Sequence, residues 1–309
     1  MTEHDQILRD APLSQSPYWE AVDAVVCINL DRRKDRWKSF CKAVKDVIPK
    51  DKLHRVSGVE GVMLPGYGEL PWFTERTGVR SRYWGGAAGC MMAHARVIKM
   101  AQQNGWRNVM ILEDDISANV TPEGLSMIHT ALTTLTGRYL LYLGYAKRVP
   151  RGLMLKQADS ARLWRINGAL TTHAYIIPAS MYRPLLEALP SKPEDVWAWI
   201  ARHRAIDVFY RNEVAVWSGV RICAVLPLMF HQNGMSSDLV LNVNMQTSGQ
   251  EEPQPLRGLM WYIYHRGLIF FRRLKTFFDT RRTYRRAFKG GFPGYRAKGS
   301  SKFFSHFFH

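Results

Sequence analysis

The chain has 309 residues, of which 46% are apolar and 22% charged; this excludes wholesale disorder and allows a core large enough to stand without disulfide staples. Forty-three Lys and Arg against 26 Asp and Glu give a net charge of +17, and residues 257–309 hold 13 of those cations with a single acid, Asp279. No apolar run reaches the ~18 residues of a membrane span, and the acidic start MTEHDQILRD lacks the apolar region of a secretory signal. The four cysteines, Cys27, Cys41, Cys90 and Cys223, form no close pair, so neither a zinc site nor a disulfide framework is expected, in keeping with a cytoplasmic chain.

Residues 1–22 mix acids with Pro12 and Pro17 without any period and read as a leader. DAVVCINL (23–30) is a short Val/Ile-rich run, a buried strand. Arg32–Lys45 follows with Trp37, Phe40, Cys41 and Val44 at helical spacing. LHRVSGV (53–59) is a second strand, residues 60–84 a long Gly- and Pro-containing loop, and Gly85–Asn104 a helix apolar on nearly every side. NVMILEDD (108–115) is a third strand, Pro122–Leu135 a helix and YLLYLGY (139–145) a strand, an alternation that predicts an α/β sheet, largely parallel. Then come strands at LWRINGAL (163–170) and THAYIIPA (172–179), helices before Pro190 and over Glu194–His203, and a buried strand VRICAVLPLMF (220–230). The body is expected over 23–245. A Gln/Glu/Pro linker opens a separate segment, 246–309, whose part from 257 onward is basic and aromatic.

Three places carry chemistry. Glu113-Asp114-Asp115 end a buried strand, where ligands bind in open α/β sheets; three adjacent carboxylates there call for a compensating cation, and oxygen-only ligands suit Mg or Mn. The alternative is a helix cap. At the end of the first strand, Asn29 and Leu30 reach the same sheet edge, and Arg36, one turn into the next helix, is the best placed of several cations to hold a diphosphate. In GAAGCMMAHARV (86–97) the small residues permit close backbone approach, and His94 reads either as a packed core histidine or as a ligand.

Together VVCINLDRRKDRW (25–37), GAAGCMMAHARV and VMILEDD resemble glycosyltransferase family 25, which includes lipooligosaccharide and collagen galactosyltransferases. Leu112-Glu113-Asp114-Asp115, Gly89-Cys90 and His94 match its motifs, whereas Ala93 stands where the family usually has Ser. THAYIIPASMYRPLL (172–186), AIDVFY (205–210) and LPLMFHQNGMSSDL (226–239) are similar to its later segments. The resemblance implies a GT-A fold, a Rossmann-like α/β domain, and an inverting enzyme that moves a hexose, galactose by analogy, from a UDP-sugar to a saccharide or glycoconjugate acceptor such as lipopolysaccharide. It implies a divalent cation, Mn or Mg, with Asp115 as the foremost ligand, Glu113 as the second and His231 as a further one. Asp114 would serve the ribose or a structural bond, Asp207 the general base or alternatively a helix cap. Asn29, Leu30, Arg36, His94, Gln232 and Ser236 (with Ser237 beside it) would contact the donor.

Two other classes compete. A metal-dependent phosphoryl-transfer enzyme needs carboxylates from several places, and outside 113–115 the acids Asp195, Asp207 and Asp238 are single. A nucleic-acid-binding arm would use the basic tail and its 15 aromatics, but no nucleic-acid motif accompanies them. In a helix through 258–280, His265/Arg266, Arg272/Arg273 and Asp279/Thr280 recur seven apart and fall on one stripe, away from Trp261, Leu268, Phe271 and Phe278. That amphipathic pattern predicts peripheral association of 257–309 with the anionic inner face of a membrane, with Phe303, Phe304, Phe307 and Phe308 as further anchors.

Overall fold

The computed structural model describes residues 11–73, 76–146, 150–233 and 252–289. The regular elements in chain order are β1 (Ala24–Asn29), α1 (Lys34–Val44), β2 (Leu53–Ser57), α2 (Val79–Gln103), β3 (Asn108–Glu113), β4 (Ile116–Ala118), α3 (Pro122–Thr134), β5 (Arg138–Ala146), β6 (Arg151–Ala158), β7 (Ala161–Ile166), β8 (Leu170–Pro178), α4 (Tyr182–Ala188), α5 (Pro193–His203), α6 (Ile206–Asn212), β9 (Val220–Leu226), β10 (Phe230–Gln232), β11 (Gln254–Pro255) and α7 (Gly258–Lys289).

Among the described residues nine strands form one sheet in the order β11-β6-β7-β9-β5-β8-β3-β1-β2, and β4 and β10 form a separate two-stranded ladder. β2, β1 and β3 are parallel neighbours, joined by helical crossovers through α1 and α2. β8 runs against both β3 and β5, and β7 against both β6 and β9, so the sheet is mixed, with its other seven strands in one direction. This Rossmann-like half continued by a reversed strand is the expected mixed α/β domain.

Alternation along the strands explains why both faces are covered. In β1, Ala24 and Val26 enter one core while Val25 and Cys27 enter the other. In β3, Val109 and Ile111 oppose Met110 and Leu112 in the same way. One core is closed by α2, α4, α5 and α6, the other by α1 and α3. Helix α3 begins with the Thr121 hydroxyl accepting from Gly124 N at 3.0 Å, and Pro122 occupies its first turn. Helix α2 starts at Val79, six residues earlier than the sequence pattern suggests. It packs on the 59–61 turn through bare backbone: a Cβ on Gly61, Gly85 or Gly89 would collide with main-chain atoms or the facing side chains.

The C-terminal segment is built into the body rather than hung from it. β11 extends the sheet beside β6, and Glu252 pairs with Arg162. From α7, Trp261 and Arg272 are buried, Arg272 Nη1 donates to Asn167 O at 2.6 Å, and Tyr264 OH accepts from Asn167 Nδ2 at 3.1 Å. Arg272, expected on the polar face of an interfacial helix, and Trp261, expected on its apolar side, are therefore both docking residues buried against the body. The sequence pattern ran 163–170 together as one strand; the strand stops at Ile166 because Gly168 turns the chain at φ +116°.

Candidate functional site

The candidate site lies beyond the carboxyl ends of β1 and β3. β3 delivers Glu113, and the chain then turns through Asp114 and Asp115 before β4. Two of the three acids are buried, and each faces a different partner set.

Asp114 is consumed internally. Its Oδ1 accepts from Arg36 Nη1 at 3.1 Å and its Oδ2 from Asn29 Nδ2 at 2.6 Å. Asn29 also donates to Arg33 O at 3.1 Å, and its Oδ1 accepts from Arg55 Nε and Nη2 at 2.9 and 2.7 Å. Asn29, Arg36, Arg55 and Asp114 thus clasp the ends of β1, β2 and β3 to the start of α1. Leu30 follows, its side chain against Gly58 and its carbonyl accepting from Arg33 N at 2.8 Å.

Asp115 faces the other way. The β4–β10 ladder sets Ser117 opposite His231 and Ile116 opposite Gln232, and Asn233 N donates to Asp115 O at 2.6 Å. Gln232 hydrogen-bonds the Asp115 carboxylate. Burial, with the Glu113 charge adding to it and Arg36 opposing, raises the Asp115 carboxyl from 3.8 to about 7. Asp115 Oδ1 and Gln232 Oε1 are both buried and accept from no donor among the described residues. A pair of oxygen acceptors of this kind fits an oxygen-binding divalent ion. His231, half-buried, precedes Gln232 on β10, stands opposite Ser117 and lies within electrostatic reach of His173.

Glu113 belongs to a third group. Its Oε1 accepts from Thr172 Oγ1 at 3.1 Å and stands 3.5 Å from His94 Nε2. His94 is fully buried on α2, and its Nδ1 meets Tyr175 OH at 2.8 Å, with Tyr210 OH 3.4 Å beyond. Burial pushes the Glu113 carboxyl up, but the His94 contact and charge, His173 and the Thr172 hydroxyl outweigh it, and the group is held below its ordinary value. Cys90, one helical turn before His94, completes a trio whose ligand atoms all lie within 4.8 Å of one another, the one such group among the described residues. Its sulfur and nitrogen donors suit zinc rather than Mg or Mn. Burial, with Glu113 and Asp207 adding to it, keeps Cys90 a thiol.

Asp207, in the first turn of α6, faces the same space. Its Oδ2 accepts from Thr171 N at 3.0 Å and its Oδ1 from Val208 N at 2.7 Å. Burial raises its pKa; the two amides pull it down without cancelling that, and the Glu113 charge raises it further. Thr171 adopts φ +68°, a costly conformation for a β-branched residue, and it is the residue whose amide meets Asp207. Its hydroxyl also meets His173 Nδ1 at 2.8 Å, while His173 Nε2 donates to Phe230 O at 3.2 Å. A Cβ at Gly144 would strike both of the latter partners, so only glycine leaves that bond room.

Of the residues singled out from sequence, Glu113, Asp115, Asp207, His94, His231 and Gln232 are thus gathered around one end of the sheet, and Asn29, Arg36 and Asp114 form the clasp beneath them. Ser236, Ser237 and Asp238 lie outside the described residues. Sequence reasoning missed Thr171, Thr172, His173 and Arg55. The available signal was Thr-Thr-His at the head of an otherwise apolar strand, where side chains stop facing the core.

No protein-family model matches the chain, and no curated protein matches it in sequence. Among solved structures it is similar to a mannose-1-phosphate geranyltransferase from Thermus thermophilus, with TM-score 0.34 and 11% identity over 69% of this chain and 76% of that one. It is also similar to a glycosyltransferase involved in the glycosylation of the major capsid of PBCV-1, with TM-score 0.35 and 8% identity over 70% and 94% of the two chains. Likenesses of this size decide nothing about chemistry; the α/β class follows from the strand order itself.

Proposed function

We propose that the chain is an inverting glycosyltransferase that moves a hexose, galactose, from a UDP-sugar to a saccharide or glycoconjugate acceptor, in the manner of glycosyltransferase family 25. The observation that carries this reading is the pair of buried oxygens on Asp115 and Gln232 that accept from no donor among the described residues, with the Asp207 carboxylate near enough to Glu113 to feel its charge. A Mn or Mg ion held by Asp115 and Gln232, with His231 and Glu113 at hand, would supply Lewis-acid neutralisation of a diphosphate leaving group.

The chain's own groups do the rest. Arg36, fixed by Asp114, brings a buried cation to 3.9 Å from Asp115 Oδ2 and offsets the charge gathered there. His94 and Thr172 orient Glu113. Asp207 is the general base for an acceptor hydroxyl: two amide donors fix its plane, and burial lifts its pKa towards the working range of such a group. The same two amides are also what a helix-start Asp would take, so position and proton transfer are served by one carboxylate.

The test is a hydrolysis and transfer screen across nucleotide sugars, with and without Mn. Release of UDP from UDP-galactose ahead of UDP-glucose, dependent on the cation, is the expected result. Inertness towards every nucleotide sugar together with cleavage of DNA or RNA would assign the site to phosphoryl transfer instead.

A further inference from the structure

Helix α7 has two unlike faces. One is docked: Trp261 is 3% exposed, Arg272 reaches Asn167, Arg273 Nη2 donates to Val216 O at 3.2 Å, and Arg151 stacks over Tyr264 at 4.9 Å. The other is apolar and bare. Leu259, Ile263, Phe270, Leu274 and Phe277 follow one another at spacings of four, seven, four and three residues, which at about 100° per residue sets them on one stripe. Met260, Phe271 and Phe278 widen it; Leu259 is 73% exposed and Phe271 67%. Contiguous apolar surface of this kind is rare on a monomeric protein and marks an interaction site.

Charge selects the occupant. Residues 258–289 contain nine Lys and Arg and one acid, Asp279. A second copy of the helix would bring the same net positive charge against it, and residues 290–309 are basic as well. An anionic bilayer offers both things the face lacks, an apolar phase and negative charge. No helix among the described residues is long and apolar enough to cross a membrane, so α7 would lie in the headgroup plane. We infer that α7 is a pre-docked interfacial helix that seats the protein on an anionic lipid surface. This inference stands apart from the transfer reading, because it uses none of the site residues.

The test is co-sedimentation of the full chain with phosphatidylcholine vesicles, with and without phosphatidylglycerol, against the variant Ile263→Ser/Phe270→Ser/Leu274→Ser. All charges are kept and all three side chains are exposed. Wild type should bind the acidic vesicles, release in high salt and ignore the neutral ones, and the variant should lose at least about tenfold in partition. Should the variant lose its native circular dichroism, hydrogen exchange on wild type serves instead, with protection of 259–278 expected on acidic vesicles alone. Failure of wild type to bind, equal binding by a folded variant, lipid-independent dimerisation through this face, or binding of RNA or DNA at physiological salt without vesicle binding would each overturn the inference.

Discussion

Asp115→Asn separates stability from activity in a direction that most site substitutions do not take. The native carboxyl titrates near 7 instead of 3.8, because burial and the Glu113 charge disfavour its ionised form. The native state therefore binds this proton more tightly than the unfolded chain, and stability falls as pH rises from about 4 to about 7, the full cost applying above that window. Three pKa units at about 1.4 kcal/mol each make that cost about 4 kcal/mol in the metal-free protein. Asn keeps the shape and removes the charge. In EDTA near pH 8, urea unfolding should find Asp115→Asn more stable than wild type by up to about 4 kcal/mol, the gain shrinking to nothing near pH 4. Added Mn should then stabilise wild type, by about 2.7 kcal/mol at a hundredfold excess over Kd, and leave the variant unmoved. The same variant should lose transfer activity by factors of roughly a thousand or more. A variant less stable than wild type at pH 8 in EDTA, or with the same pH dependence, would refute the reading of Asp115 as a carboxylate awaiting a cation.

Asp207→Ala should lower turnover by roughly 10²–10⁴-fold while leaving UDP-sugar affinity largely intact, as donor titration would check. Because its pKa is raised, the acid limb of the wild-type rate profile should lie above the ordinary carboxylate range, activity being lost as pH falls through it. Arg36→Met leaves Asp114 buried without its 3.1 Å partner and should cost about 3–5 kcal/mol in denaturant unfolding. Asp23 behaves oppositely to Asp115: burial raises its pKa, but the Asn108 and Arg107 amides and the Arg107 guanidinium outweigh that and lower it. Its contribution is present above the unfolded value and lost as pH falls through the native one. Asp23→Asn should accordingly melt lower than wild type at neutral pH, with the gap closing in acid.

The elements whose apolar period is strong were legible from sequence alone. β1, α1, β3 and α3 stand within a few residues of where their patterns placed them, because each packs against both the sheet and a helix layer and must be apolar to do so. β6 was invisible because it is exposed on nearly every residue; its place is fixed by ladder bonds to β7 and β11, which leave no trace in hydropathy. The acidic turn was legible, but its division of labour was not. Whether a carboxylate is spent on a clasp, as Asp114 is on Arg36 and Asn29, or keeps an oxygen with no donor among the described residues, as Asp115 does, depends on residues 78 and 85 positions away in the chain. Thr172 and His173 escaped notice because their role arises where β8 runs antiparallel beside β3, a pairing that the expectation of a largely parallel sheet did not provide.

The hook between Arg272 and Asn167 governs how the two ends of this protein can be told apart by experiment. Asn167 sits four residues before Thr171, whose amide holds the Asp207 carboxylate, so the C-terminal helix braces the turn that sets the proposed base. Ending the chain near residue 250 would unhook that carbonyl and strip β6 of its outer neighbour, leaving a raw sheet edge. Such a truncation would fail in lipid binding and in soluble turnover together, and a deletion screen would file the whole segment under catalysis. Only substitutions on the outward stripe of the helix divide address from chemistry.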